Sequence, residues 1–296
     1  MPAPTRVSVI VPTLNSAEFL SETLDSLVGQ REAQLEVLVV DGGSTDGTLE
    51  IVRAAETRLL LRWISEPDRG QADAINKGFT MASGQIVSWI NADDCLTSGA
   101  LARVVDLFAR EPDLDVLSGL GILAGPTGNF IKIIPETPIQ VIGDLYRFGC
   151  HICQPSTFLH RRVIERHGPL DASYHYALDF EYWLRIGRSV RYMFVPEILS
   201  SFRLHPGSKT VAAQRRFWAE EWRAFRRHGG SRRSPFVLAH LYHSRVRWAA
   251  YLGLAPARWL LWPLFGLSRG EWLTPGLPPV LTRQASTGAP LQSASD

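Results

Sequence analysis

The chain has 296 residues, of which 45% are hydrophobic and 20% are charged, and its formal net charge is +2. These values describe a globular protein with an ample core, and the near-neutral balance gives no reason to expect nucleic acid as a partner. Three cysteines, an odd number, and an N-terminus without the pattern of a secretory leader predict a protein of the reducing cytoplasm.

The chain opens with a strand and a helix. Residues 7–11 are apolar and β-branched, which predicts a first strand that Pro12 stops. Asn15 or Ser16 can cap the next helix, which is predicted to begin near Ala17 because apolar residues then recur at helical spacing.

The alternation of strands and helices continues up to residue 90. The apolar run at 35–40 is typical of a strand buried on both faces of a parallel sheet. A helix is predicted at 70–82, between strands at 59–65 and 86–90. This order predicts the α/β class, with a parallel or mostly parallel central sheet flanked by helices.

Polar residues follow each of these four strands. Because parallel strands end at the same edge of a sheet, these residues are expected to meet in one crevice. They are Thr13 with Asn15, Asp41, Glu66 with Asp68, and Asp93 with Asp94. The last pair predicts a divalent-metal site for a phosphate-bearing substrate, and the alternative is an acidic turn that caps the following helix.

The chain after residue 95 has less regular elements. Asp179 and Glu181 lie two residues apart on a predicted helix, so they point in different directions and need separate roles. The elements predicted here are a helix at 101–108, a strand at 114–117, a hairpin within 122–134, a strand at 154–159, a helix at 177–186, and strands at 193–198 and 202–205. They complete a first domain that spans residues 1–210.

The C-terminal part is basic and rich in tryptophan. Residues 211–273 contain eleven arginines and three glutamates, and a basic, aromatic helix is predicted at 217–227. The apolar run at 248–267 is long enough to span a membrane, but Arg258 and two prolines argue against that. The extension either lies in the membrane interface or packs on the first domain with a solvated basic face. Residues 274–296 are predicted to be disordered.

The glycine-rich motifs exclude two nucleotide-binding classes and match a third. GGSTDG at 42–47 lacks GxGxxG spacing, and no GxxxxGK[ST] motif is present. Residues 6–210 instead resemble the family 2 glycosyltransferases with the GT-A fold. The resemblance rests on VIVPTLN at 9–15, VDGGSTDGT at 40–48, EPDRG at 66–70, DAINKG at 73–78, the Asp93–Asp94 pair, DFEYWLR at 179–185 and RLHPGS at 203–208.

The resemblance implies roles for individual residues. It implies a nucleotide-sugar-binding part at about 1–95 and an acceptor part at about 96–210, with Asp179 as catalytic base. Metal ligands would be Asp94 first, then Asp93 and His205, for Mn²⁺ or Mg²⁺. The chain departs from the family at Asn91, where relatives often carry a third acidic residue. Donor contacts are implied for Pro12, Thr13, Asn15, Asp41, Asp68, Gly70, Asp73, Asn76, Asn91 and Asp93.

The implied function is an inverting, metal-dependent glycosyl transfer from a nucleotide-diphospho-sugar. The acceptor would be a hydroxyl of a glycan or lipid-linked molecule in cell-surface polysaccharide biosynthesis, at the inner face of the cell membrane. One alternative is a nucleotide-sugar-binding component without turnover, which Asn91 favours and the three retained aspartates oppose. Another alternative is a nucleotidyltransferase, which would carry a glycine-rich, basic loop after the first strand, and PTLN at 12–15 does not fit that pattern.

Overall fold

The computed structural model describes residues 5–30, 34–136, 138–148, 151–209, 214–231 and 234–237. The strands are β1 (Arg6–Thr13), β2 (Gln34–Asp41), β3 (Leu61–Ser65), β4 (Ile86–Trp89), β5 (Cys95–Leu96), β6 (Val116–Ala124), β7 (Phe130–Ile134), β8 (Thr157–His160) and β9 (Tyr192–Arg203). The helices are α1 (Leu20–Val28), α2 (Thr48–Ala55), α3 (Gln71–Met81), α4 (Ala100–Arg110), α5 (Leu145–Phe148), α6 (Arg161–His167), α7 (Leu178–Ile186) and α8 (Gln214–Arg227).

One sheet joins the strands, in the order β3-β2-β1-β4-β8-β6-β9-β5, with β7 paired to β6. The first four strands are parallel, as the sequence predicts. Beyond β4 the pairing changes, because β8 runs antiparallel to both β4 and β6. The predicted α/β class is confirmed, and the parallel half is joined to a mixed half at the β4–β8 pair.

Both faces of the sheet are covered by apolar packing. Along β1, Val7, Val9 and Val11 contact one core cluster together with α1 and α4, and Ile10 contacts the opposite cluster together with α3 and α7. Strand side chains alternate between faces, so a strand buried on both sides needs an unbroken apolar run. Gly78 lets α3 approach β1 closely, since a Cβ there would lie 2.4 Å from Ile10 Cγ2.

The first helix begins later than its predicted cap. Helix α1 starts at Leu20, and no side chain caps the amide groups of its first turn. Asn15 has a φ of 48°, and its side chain accepts a hydrogen bond from the Thr45 amide 2.9 Å away. The prediction that Asn15 or Ser16 caps this helix is therefore wrong for Asn15, whose side chain joins the loops after β1 and β2.

The second half of the chain differs from its prediction in several elements: β6 joins the strand predicted at 114–117 to the first arm of the hairpin, and α5 and α6 were not predicted. The hairpin predicted within 122–134 is present as β6 and β7, and the helix predicted at 177–186 is α7. The strands predicted at 193–198 and 202–205 form the single strand β9, which pairs with β6 for most of its length. The register of this pairing shifts on both sides of Leu120, between Phe194 and Ser200 of β9.

Helix α8 packs on α7 and on the loop before it, beyond the predicted end of the first domain at residue 210. Arg223 donates to the Ser173 carbonyl oxygen at 2.7 Å, and Arg227 pairs with Asp171 at 2.8 Å. For α8, these contacts favour packing on the first domain over a role in the membrane interface. No helix in the part of the chain that the structure describes is long and apolar enough to span a membrane. The stretch at 248–267 and the tail at 274–296 lie outside the described residues.

Candidate active site

A cavity of about 1030 Å³ opens at the carboxyl edge of the parallel strands. Its wall is built from the ends of β1 and β9, the turns after β3 and β4, and the first turn of α7. Nine of the predicted site residues line it: Pro12, Thr13, Asn15, Asp68, Gly70, Asn91, Asp93, Asp179 and His205. The expectation that polar residues at the ends of parallel strands meet in one crevice therefore holds for most of this cavity wall. Donor contact by these residues stays a prediction.

Asp93 and His205 form the part of the cavity wall best suited to a metal ion. The Asp93 Oδ2 and His205 Nε2 atoms are 3.0 Å apart, and both side chains are partly exposed, at 25% and 18%. The His205 ring packs against the Phe19 ring at a centroid distance of 4.6 Å. The loop after β9 thus brings an imidazole to a carboxylate that lies more than a hundred residues earlier in the chain.

Asp94 does not line the cavity, whereas its neighbour Asp93 does. Its side chain is fully buried and accepts hydrogen bonds from the Arg203 amide at 2.9 Å and from Asn91 Nδ2 at 2.9 Å. Burial, and then the neighbouring charge of Asp93, raise the pKa of Asp94 well above its ordinary value. Asp93 is the carboxylate that lines the cavity, and Asp94 is bonded to Asn91 and to β9; Asp94 as first metal ligand stays a prediction.

The Arg203 side chain holds this turn from the other side. Its guanidinium donates to the Asp93 carbonyl oxygen at 3.1 Å and to the Pro126 carbonyl oxygen at 2.9 Å, and it pairs with Glu22. It also lies over the Phe19 ring, 4.9 Å from the centroid. Arg203 is 7% exposed, so it fixes the geometry of the acidic turn.

Asn91 is held by a second amide. Its Oδ1 accepts a hydrogen bond from Gln71 Nε2 at 2.5 Å, while its Nδ2 donates to Asp94. Asn91 lines the cavity but brings no charge to it. The position at which relatives often carry an acid therefore belongs, in this chain, to an amide network that connects α3 to the acidic turn.

Asp41 organises the loop after β2. Its carboxylate accepts hydrogen bonds from the Gly43 and Ser44 amides at 3.0 and 2.9 Å and from the Ser65 hydroxyl at 2.7 Å. Burial acts to raise the pKa of Asp41, but hydrogen bonds from Ser44 and Ser65 lower it. The side chain is fully buried and does not line the cavity, so in this structure it holds the loop after β2, and donor contact by Asp41 stays a prediction.

Asp68 is a carboxylate of the cavity wall that is held at the start of α3. Its Oδ1 accepts a hydrogen bond from the Gly70 amide at 2.7 Å, and a Cβ at Gly42 would lie 2.6 Å from its Oδ2. A side chain at position 42 would displace the Asp68 carboxylate, which explains the glycine there. Gly70 has a φ of 117°, a conformation that favours glycine where the chain turns into α3.

Asp73 and Asn76 lie on α3 but have partners outside the cavity. Asp73 accepts from the Arg69 amide at 3.2 Å and from its guanidinium at 2.8 Å. Asn76 exchanges two hydrogen bonds with the backbone of Leu170, at 2.8 and 2.9 Å. Neither lines the cavity; they join α3 to the preceding turn and to the segment before α7, and their donor contact stays a prediction.

Asp179 faces the cavity from the first turn of α7. Its Oδ1 accepts a hydrogen bond from the Phe180 amide at 2.8 Å, and burial raises its pKa. A carboxylate with a raised pKa near the operating pH suits a general base. Glu181 instead points away, is 1% exposed, and pairs with Arg185 and His228 at 3.2 and 2.8 Å, so the two acidic residues have separate surroundings, as the sequence predicts.

Helix α8 supplies two glutamates to the same region. Glu220 accepts hydrogen bonds from the His175, Tyr176 and Ala177 amides at 2.9, 2.8 and 3.1 Å, directly before α7. Glu221 is 5% exposed, and its pKa is raised to about 8 by burial and by the charge of Asp179. The α8 helix therefore holds the turn that presents Asp179.

The donor groups at Asp93 and His205 fit a divalent ion that shares its coordination with a ligand. Among the described residues there is no cluster of three or more histidine, cysteine, aspartate or glutamate side chains suited to a metal. Two protein ligands are sufficient where phosphate oxygens and water complete the shell, as Mg²⁺ sites commonly show. A site of this kind would be completed by the diphosphate of the donor.

Sequence reasoning missed Gln71, Lys209 and Glu220. Lys209 lines the cavity and follows the RLHPGS motif directly, so its position in the sequence was a usable signal. Gln71 occupies the first position of α3, next to the EPDRG motif. Glu220 lies in a basic helix with no motif of its own, and only the fold brings it to the turn before α7.

Sequence comparison places the chain among glycosyltransferases. Residues 8–168 match the family described as glycosyl transferase family 2. A PGL/p-HBAD biosynthesis glycosyltransferase of Mycobacterium tuberculosis is 30% identical over 217 residues, which cover 71% of this chain and 81% of that protein. An uncharacterized glycosyltransferase of Nostoc sp. is 27% identical over 174 residues, which cover 56% of this chain and 54% of the relative.

Solved structures share the fold. Staphylococcus aureus TarS residues 1–349, in complex with UDP-GlcNAc, has a TM-score of 0.62 and 22% identity, and the match covers 75% of this chain and 66% of that one. The mannosyltransferase PcManGT of Pyrobaculum calidifontis, in complex with GDP-Man and Mn²⁺, has a TM-score of 0.60 and 23% identity, with 97% and 81% covered. The chain therefore belongs to glycosyl transferase family 2 and has the GT-A fold.

Proposed function

We propose that the protein is an inverting, metal-dependent glycosyltransferase that uses a nucleotide-diphospho-sugar. The observation that carries the proposal is the cavity, which has Asp68 near one end, the Asp93–His205 pair in its wall, and Asp179 on the first turn of α7. Complexes of the TarS and PcManGT neighbours contain UDP-GlcNAc and GDP-Man with Mn²⁺, which supports this class of donor.

The side chains divide the reaction between them. Asp68, Thr13 and Asn15 would contact the nucleoside, and Asp93 with His205 would hold Mn²⁺ or Mg²⁺ against the diphosphate. A bound divalent ion would stabilise the negative charge that the diphosphate gains as the sugar leaves. Asp179 would take the proton of the acceptor hydroxyl as that oxygen attacks the sugar carbon from the opposite face, which inverts the configuration.

The proposed acceptor is a hydroxyl of a glycan or lipid-linked molecule of cell-surface polysaccharide biosynthesis. Ile134, Ile152 and Pro155 give the cavity an apolar wall, and Phe130 and Ile133 are exposed on the adjacent strand β7. An apolar wall beside an exposed apolar strand is suited to an acceptor with a hydrocarbon part. Such an acceptor would place the protein on the inner face of the cell membrane.

A donor panel tests the proposal directly. The full chain is incubated with Mn²⁺ and UDP-, dTDP- and GDP-sugars, and release of the nucleoside diphosphate and calorimetric donor binding are measured. We expect binding and slow hydrolysis with the sugars of one nucleotide and loss of turnover in EDTA. No binding and no turnover with any donor would contradict the proposal, and binding without turnover in Mn²⁺ would favour a nucleotide-sugar-binding component.

A further inference from the structure

The cavity wall carries more negative than positive charge. Glu18, Asp68, Asp93 and Asp179 line it, and Lys209 is the one lysine or arginine among the described residues that do so. A diphosphate adds further negative charge to this surface. A metal ion held by a single cavity-facing carboxylate offsets part of that charge, so a second cation near the phosphates would strengthen binding.

The structure places the Lys209 ammonium group within the cavity wall. Its Nζ donates to Gln71 Oε1 at 2.8 Å and to the His175 carbonyl oxygen at 3.4 Å. Burial lowers the pKa of Lys209, whereas the charges of Asp68, Glu220 and Asp93 act to raise it. These three carboxylates therefore favour the charged form of an ammonium that the cavity partly removes from solvent.

The hydrogen bonds of Lys209 lead to the acidic turn. Gln71 accepts from Lys209 with its oxygen and donates with its nitrogen to Asn91 Oδ1, and Asn91 in turn donates to Asp94. The ammonium group thus lies two side chains from the turn that carries Asp93. Gln71 is also the first residue of α3, and the positive end of that helix dipole favours an anion at this place.

We propose that Lys209 binds the diphosphate of the donor and stabilises its charge as the sugar leaves. The inference rests on the proposed function, because it assigns one contact to the same donor. It gives the chain a fixed cation that Gln71 joins to Asn91, the uncharged residue of the acidic turn. The ammonium group would exchange its bond with Gln71 for a phosphate oxygen, and Gln71 would keep its bond with Asn91.

The test compares nucleotides that differ by one phosphate group. Calorimetric binding of UDP, GDP, UMP and GMP is measured for the full chain, in Mn²⁺ and in EDTA. The variants are Lys209→Met, Lys209→Arg and the control Lys132→Met. Lys132 is bonded to Glu136 at 3.0 Å and does not line this cavity, so its variant loses the same charge elsewhere. Thermal melting of each variant reports on folding.

Lys209→Met should weaken binding of the preferred nucleoside diphosphate by about 10- to 100-fold, in EDTA as well as in Mn²⁺. Binding of the matching monophosphate should change by less than about threefold, and Lys209→Arg should recover most of the diphosphate affinity because it keeps the charge. Lys132→Met should bind all four nucleotides as the unmodified chain does.

Two results would overturn the inference. Unchanged diphosphate binding in Lys209→Met would exclude the contact. Equal losses for monophosphate and diphosphate with a lowered melting temperature would show that Lys209 only supports the Gln71 and His175 contacts. If the unmodified chain binds none of the four nucleotides, the proposed function fails together with this inference. If it binds and hydrolyses a donor while Lys209→Met behaves like the control, the inference alone fails.

Discussion

At the scale of the residue, the candidate chemistry depends on one carboxyl group. Asp179 must be ionised to accept a proton, and burial raises its pKa above the ordinary value for aspartate. The transfer rate should therefore fall as the pH is lowered through that raised pKa, at a higher pH than an exposed aspartate would require. A profile of kcat against pH, recorded with saturating donor, measures this fall in rate at low pH.

Asp179→Asn should remove the base while leaving the donor site in place. We expect kcat to fall by about 10²- to 10⁴-fold. The dissociation constant of the donor should stay within about threefold. Nucleotide release and calorimetry measure the two quantities. Asp113→Asn serves as control, because its side chain is 89% exposed. An Asp179→Asn variant with full turnover would assign the base to another group.

Glu221 should make stability depend on pH. Its pKa rises from 4.5 to about 8 on folding, so the folded state holds a proton that the unfolded state releases in this window. The stabilisation by protonated Glu221 is fully present below pH 4.5. As the pH rises from there towards 8, the free energy of unfolding falls by about 1.4 kcal/mol per pH unit. Urea unfolding between pH 5 and pH 9 measures the slope.

Glu221→Gln should remove that slope and be more stable than the unmodified chain at the alkaline end. Its transfer rate at neutral pH should change little, because Glu221 is already protonated there. Glu50→Gln is a matched control, with a side chain that is 71% exposed. Identical pH profiles for Glu221→Gln and the unmodified chain would contradict a buried, protonated Glu221.

Reasoning from the sequence succeeds for the side chains at the ends of the parallel strands. Strand ends predict Thr13, Asn15, Asp68 and Asp93 as a converging set, because parallel strands end at one edge. Which of Asp93 and Asp94 faces the cavity could not be predicted. Successive side chains in a turn take directions set by their hydrogen-bond partners, which for Asp94 are Arg203 and Asn91. The family resemblance implies a donor contact for Asp41, but the hydrogen bonds that its carboxylate accepts from Gly43 and Ser44 depend on a loop conformation that the sequence does not show.

At the scale of the element, α8 packs on α7 and on the turn before it, next to Asp179. The sequence predicts it as a helix from its pattern. Its position could not be predicted, because the contacts of Glu220, Arg223 and Arg227 join it to residues 171–177, more than forty positions earlier. Strand β9 was predicted as two strands for a related reason: its continuity depends on pairing with β6, which is not a local property of the sequence.

Glu220→Ala should loosen the turn before α7. Three amide hydrogen bonds lose their acceptor, which should lower the free energy of unfolding by about 1–3 kcal/mol. Because the turn presents Asp179, kcat should fall more than donor affinity does. Glu220→Gln keeps an acceptor oxygen and should recover part of both losses. Urea unfolding and steady-state kinetics measure them, and an unchanged kcat in a destabilised Glu220→Ala variant would limit Glu220 to folding.

At the scale of the whole molecule, the described core contacts reach as far as Val237. Phe236 packs on Phe180 and Phe225, at centroid distances of 5.8 and 4.4 Å, and Phe236 and Val237 belong to the core cluster that contains α7. A chain that ends at Val237 should keep donor binding. If residues 238–273 hold the membrane contact, this shortened chain should also lose sedimentation with anionic phospholipid vesicles.

The full chain is the reference for that experiment, and a chain cut after Arg226 is the control for folding. The control should unfold more readily, because it loses the contacts of Arg227, His228 and Phe236. Equal sedimentation of the full chain and the chain ending at Val237 would assign any vesicle contact to residues 1–237.

The pair of β4 and β8 joins the two halves of the sheet through two residue pairs, Ile86 with His160 and Val87 with Leu159. Because this junction is short, one half of the sheet can be exchanged between relatives during evolution. Exchange of the later half between relatives would alter acceptor choice, and it would leave nucleotide use intact only where the incoming half also supplies a histidine at position 205 and a lysine at position 209. Such a hybrid must also preserve the Trp89–Trp183 stack, at a centroid distance of 5.5 Å, and must carry α8 along with α7. The GT-A fold of this chain is thus suited to diversification by recombination, with one half retained and the other replaced.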